Sequence, residues 1–128
     1  MSRSRASARQ AGSKFERLIA DALAEHVDDR IDRRVKTGRN DKGDIGGVRL
    51  MGQYSGYQGQ RLVIECKDVS RTDLSGWVNE AETERGNDDA LAGFVIHKRR
   101  GHGDPLDQYV TATLRDLIAL LTGTRIER

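Results

Sequence analysis

The sequence predicts an α/β fold, a mixed central β-sheet flanked by helices. Two apolar runs of strand length, RLVIEC (61–66) and LAGFVIH (91–97), supply the centre of the sheet. A stretch of helical periodicity separates them, and amphipathic stretches lie toward both ends of the chain. At 128 residues the chain is the size of one domain.

Residues 1–12 (MSRSRASARQAG) are small, polar and basic, with nothing to bury, and read as a disordered basic arm. Residues 13–128 then form the single domain. Ser13 stands three residues before Glu16, the spacing of a capping box. Phe15, Leu18, Ile19, Ala22, Leu23 and Val27 follow at helical spacing, predicting a helix over 13–27. IDRRV and DIGGVRL alternate weakly, with the turn-rich TGRNDKG between them. They predict a short strand, a basic loop and a second strand opening near Asp44. Residues 51–60 (MGQYSGYQGQ) read as a hairpin loop or flap, in which Tyr54 and Tyr57 could stack on bases or pin the loop. After the 61–66 strand, Leu74, Trp77, Val78 and Ala81 predict a helix over 72–86, with Gly86 and Asn87 to end it. A basic turn, KRRGHGDP, follows the 91–97 strand. Leu106, Tyr109, Val110, Thr113, Leu114, Leu117, Ile118 and Leu121 predict one long final amphipathic helix.

Net charge is only +2, but its distribution is uneven. Four basic residues and no acid lie between Met1 and Lys14, and six basic residues and two acids between Arg30 and Lys42. Acids gather at 21–29 and 80–89. Such a split suggests a polyanion on one face. Arg supplies 17 of the 22 basic residues, the better fork for phosphate. The one cysteine, Cys66, excludes an internal disulfide or a thiolate zinc cluster. No stretch approaches the ~18 apolar residues of a membrane span. The basic N-terminus lacks an apolar region like that of a secretory signal. The expected location is the cytoplasm, of a bacterium or a phage-infected host.

The chemistry centres on Glu65-Cys66-Lys67, at the end of the strongest strand. Strand side chains two apart share a face, so Glu65 and Lys67 project together. The carboxylate can hold a hard divalent cation through oxygen. The ammonium can orient or deprotonate the attacking water and offset phosphate charge. Asp44 converges with Glu65 if their strands form a hairpin across 51–60, and the Cys66 carbonyl offers a further ligand. Glu16, on the first helix, is a candidate fourth group. A surface ion pair between Glu65 and Lys67, worth little energy, is the bland alternative. Trp77 reads as core, His97 as a residue able to face this edge, and the other histidines as too scattered for a zinc site.

In this order, a helix-borne Glu, an Asp and then Glu-x-Lys, the chain resembles the archaeal-type Holliday junction resolvases of the PD-(D/E)XK nuclease superfamily. GSKFERLIADAL resembles their first helix, GDIGG their Asp-bearing strand opening and VIECKD their Glu-x-Lys strand. The resemblance covers about residues 12–98. It implies a restriction endonuclease-like fold and a Mg²⁺-dependent endodeoxyribonuclease that cuts branched DNA, with Mn²⁺ able to substitute. By residue it implies metal roles for Asp44 and Glu65, an outer metal role for Glu16 and a catalytic role for Lys67; with the Cys66 carbonyl as the further metal ligand, the expected catalytic set is Glu16, Asp44, Glu65 and Lys67. Thr37 stands where the family keeps a small hydroxyl residue near its active site. Gly43, not Pro, precedes Asp44, and the 51–60 insertion is longer than in compact members. The DNA-binding surface is expected from Arg3, Arg5, Arg9, Lys14, Arg33, Arg34, Lys36, Thr37, Arg39, Lys42, Lys98, Arg99 and Arg100. The expected substrate is a four-way junction, whose twofold symmetry implies a homodimer. The alternatives are a nicking repair or restriction-like nuclease of the same fold, or a non-catalytic DNA-binding module.

Overall fold

The computed structural model describes residues 4–35, 38–50 and 59–127, and the backbone alone of Arg39. Arg3, Lys36, Thr37 and most of the 51–60 loop, with Tyr54 and Tyr57, lie outside the described residues. Helix α1 (Arg5–His26) leads into β1 (Asp32–Arg33), β2 (Ile45–Gly46) and β3 (Leu62–Lys67). Helix α2 (Leu74–Asp88), β4 (Ala92–His97), β5 (Tyr109–Thr111) and α3 (Leu114–Thr122) follow. Among the described residues, five strands form one mixed sheet in the order β1-β2-β3-β4-β5. All neighbours are antiparallel except β3 and β4, which run parallel from Leu62↔Ala92 to Lys67↔His97. The parallel pair follows from α2, which fills the crossover between them. The expected hairpin is present: β2 pairs with β3 through Ile45↔Ile64, and an Arg49↔Arg61 bridge extends it toward the loop.

The period-two alternation of β3 divides the core. Ile64 and Cys66 face α1, where they pack with Phe15, Ile19, Ile45 and Ile96. Glu65 faces the other way: its register partner Val95 packs against Trp77 and Ala81 of α2. Ile45, Val63 and Val95 are fully enclosed, each contributing about 1.5–3 kcal/mol by burial. Among the described residues, no helix is long and apolar enough to cross a membrane.

Three expectations are corrected. The stretch read as a disordered arm is helical from Arg5, capped by Ser4, whose hydroxyl accepts from the Ser7 N–H at 3.1 Å. Ser13 is therefore a helix-interior residue rather than a cap. Helix α2 runs past Gly86 to Asp88 and ends on Asp89 in the left-handed conformation. The long final helix is broken into a 3-10 turn at Pro105–Asp107, the edge strand β5 and the shorter α3. Thr113 imposes the break, since its hydroxyl accepts from the Asp116 N–H and donates to the Asp116 carboxylate. The apolar residues of that segment are mostly outside the core, with Val110, Leu114 and Leu121 62%, 70% and 75% exposed.

Candidate active site

Gly43 sets the geometry of the site. Its φ of +99° suits glycine, and a Cβ there would lie 3.0 Å from both the Ile64 carbonyl oxygen and Val63 Cγ1. The chain can therefore pass close to β3, where the Asp44 N–H donates to the Ile64 carbonyl at 2.9 Å. This turn sets the Asp44 carboxylate against β3, where its Oδ2 accepts from the Cys66 N–H at 2.8 Å. The main-chain N–H and C=O of a strand residue face the same neighbour, so the Cys66 carbonyl points to Asp44's side. The Cys66 thiol is buried in the core on the α1 side.

Glu65 lies beneath α2, 5% exposed, within hydrogen-bonding reach of Asp44 and Glu84. Glu84 is itself buried, on the face of α2 that also carries Trp77, Ala81 and Asp88. Oxygens of Glu65, Glu80 and Glu84 all lie within 4.8 Å of one another. Among the described residues, buried Glu65 Oε2 and Glu84 Oε2 have no hydrogen-bond partner. Burial, then the hydrogen bonds to Glu84 and Asp44, push the Glu65 carboxyl up to about 12. Burial raises Glu84 as well, joined by the charges of Asp44, Glu80 and Asp41, although its bond from Glu65 pulls the other way. The buried pair thus holds a proton that Glu65 donates.

Lys67 shares the Glu65 face, and its Nζ lies 3.0 Å from Glu80 Oε2. Burial favours loss of its proton. The bond to Glu80 and the surrounding carboxylate charge outweigh that, so its pKa is raised and the ammonium persists. Among the described residues, four carboxylic side chains, Asp44, Glu65, Glu80 and Glu84, thus meet one ammonium. Buried carboxylate oxygens without partners cost free energy unless a cation meets them. The donor set is all oxygen and suits a hard ion such as Mg²⁺ or Mn²⁺.

The structure therefore gathers Asp44, Glu65, Cys66 and Lys67 as expected. Glu16 pairs with Arg33 of β1, at 3.3 Å. Glu80 and Glu84 escaped the sequence reading, which tracked only the apolar positions of α2. The signal was available: Trp77, Ala81 and Glu84 follow the i, i+4, i+7 pattern of one helix face.

The expected cationic residues divide into two groups. Arg34 is held by Asp88 at 3.6 Å and donates to the Lys42 carbonyl, while Arg100 pairs with Asp68 at 2.9 Å. Arg5, Arg9, Lys14 and Lys42 are exposed. Lys98 follows β4 next to Lys67, its backbone N–H donating to the Lys67 carbonyl. A cavity of about 490 Å³ opens there, lined by His97, Lys98, Arg99, Arg100, His102 and Tyr109 among others. The His97 ring stands between Trp77 and Tyr109, and its Nε2 lies 2.7 Å from the Thr111 hydroxyl. Burial lowers the His97 pKa, so a neutral ring is favoured. The Arg99 guanidinium sits 5.4 Å from the Tyr109 ring centre. A second cavity brings Lys14 of α1 and Lys98 to a common surface. Comparison with protein-family models, curated proteins and solved structures finds no match to this chain.

Proposed function

We propose that this chain is a divalent-cation-dependent endodeoxyribonuclease with a restriction endonuclease-like fold, acting on branched DNA and foremost on four-way junctions. One observation carries the reading: Asp44 and Glu65, from adjacent strands, meet beside Lys67, and a buried carboxylate oxygen there is left open. A bound Mg²⁺ would supply Lewis-acid stabilisation of the phosphate and activate water for attack. Asp44, Glu65 and the Cys66 carbonyl would hold it.

Lys67 remains an ammonium, so its part is electrostatic: it donates to a phosphate oxygen and offsets charge as the diester is attacked. It is poorly suited to act as a base. The basic cavity after β4 adjoins Lys67 and fits the neighbouring backbone phosphates. Its contents suit phosphate and shape more than a base sequence. A junction needs two matched cuts, and a twofold pair of chains supplies two sites. The apolar side chains left exposed at Val110, Leu114, Leu117 and Leu121 suit the surface such a pair would cover.

Incubation with Mg²⁺ and labelled junction, flap, mismatched and linear DNA tests the reading. Paired cuts in opposing junction strands are expected. Preferred cutting of another substrate would replace the junction assignment, and cleavage of none would remove the nuclease.

A further inference from the structure

The carboxylates of α2 exceed what one cation at Asp44 and Glu65 requires. We propose that Glu84 and Glu80, with Glu65 as shared ligand, form a second divalent-cation subsite on the α2 side of the first. The inference rests on the nuclease reading for its role in catalysis, but not for the binding itself.

Three observations carry it. The oxygens of Glu65, Glu80 and Glu84 lie within 4.8 Å of one another, close enough for one small cation to draw them into a shell. Glu65 and Glu84 are 5% and 8% exposed, and each keeps one oxygen with no partner among the described residues. A proton shared between them satisfies one contact and leaves both of those oxygens open. Glu84 also occupies a core-facing position of α2, in phase with Trp77 and Ala81, where an apolar side chain would pack without that cost.

Charge points the same way. Once a cation displaces the shared proton, four carboxylates among the described residues face one ammonium, a deficit of three. One divalent cation leaves the centre net negative and repulsive to a phosphodiester, whereas two make it net positive. Lys67 now pairs with Glu80. A cation on Glu80 would release that ammonium toward the substrate phosphate, so filling the α2 subsite would also prepare Lys67.

Mn²⁺ titration of the full chain, with free Mn²⁺ read by electron paramagnetic resonance, tests the subsite without DNA. The wild type should bind two Mn²⁺ per chain. Glu84→Gln should retain the Asp44-side ion and lose the other, with at least ~10-fold weaker second-site affinity, the scale on which metal sites respond to lost partners. Glu80→Gln, at a half-exposed position where folding is not at stake, should weaken the same site and leave the first unchanged. A single ion in the wild type, or two tight ions in Glu84→Gln, overturns the proposal. A single ion lost in Asp44→Asn but kept in Glu84→Gln overturns the second subsite alone and leaves the nuclease reading standing. No bound Mn²⁺ at all overturns both.

Discussion

Replacing Glu65 by Gln should make the metal-free protein more stable while destroying its activity. The folded carboxyl titrates far above its ordinary value of 4.5, so the metal-free native state keeps a proton that the unfolded chain has lost by neutral pH. Stability from such a group is complete below pH 4.5 and declines as pH rises toward the folded value of about 12. The decline is about 1.4 kcal/mol per pH unit, which reaches about 3 kcal/mol at pH 7. Gln has no such titration, and its amide can donate to Asp44 and to Glu84. For a domain of this size about 3 kcal/mol corresponds to a rise in Tm of roughly 10 °C. Thermal denaturation of wild type and Glu65→Gln in a chelator, from pH 4.5 to pH 8, measures it. The two should melt together near pH 4.5 and separate steadily above, the variant higher. Saturating Mg²⁺ should raise the wild type alone and narrow the gap. A difference independent of pH, or a variant that falls further below wild type as pH rises, would refute the strained carboxylate cluster.

Lys67→Ala should lower the cleavage rate by about 10²–10⁴-fold, as for other groups that act on charge in the transition state, yet leave Mn²⁺ affinity equal or tighter because a competing positive charge is gone; single-turnover kinetics beside calorimetry separates the two. Gly43→Ala should cost about 1–3 kcal/mol, through its positive φ and the 3.0 Å approach to Ile64, and should reduce cleavage by displacing Asp44; denaturant melts and the junction assay read both effects. Leu114→Glu with Leu121→Glu should leave the fold intact, since both side chains are exposed, and shift a dimer toward monomer in sedimentation; an unchanged mass would place the pairing surface elsewhere.

The centre of this fold was legible because its signals are local and redundant. The runs LVIEC and AGFVIH have strand length and few polar interruptions, and period two alone puts Glu65 and Lys67 on one face. Asp44 was legible from its place at a strand opening, whereas the reason for Gly43 before it needed the distance to β3. The first turns of α1 are not legible from apolar periodicity, because they carry no apolar face. Ala, Arg and Gln favour helix without any burial, and Ser4 caps them. The final helix misled in the opposite way. Leu106, Tyr109, Val110 and Thr113 fall at helical spacing by coincidence of a turn and a strand, and the cap at Thr113 competes with that pattern. Glu80 and Glu84 were invisible to any count of apolar periodicity, because what α2 buries at Glu84 and Asp88 is charge. The engagement of Arg33, Arg34 and Arg100 by acids from other parts of the chain is tertiary and leaves no local trace.

The most direct test of the central claim is single-turnover cleavage of a labelled four-way junction by wild type and Asp44→Asn, each with Mg²⁺ and with chelator. Asp44 accepts from the Cys66 N–H through Oδ2, and Asn keeps an oxygen for that bond while giving up the charge that would hold the cation. Cleavage should appear only in the wild type with Mg²⁺, with junction binding retained in the variant. Cutting by Asp44→Asn at the wild-type rate, or by the wild type in chelator, would contradict a cation-dependent centre built on Asp44 and Glu65.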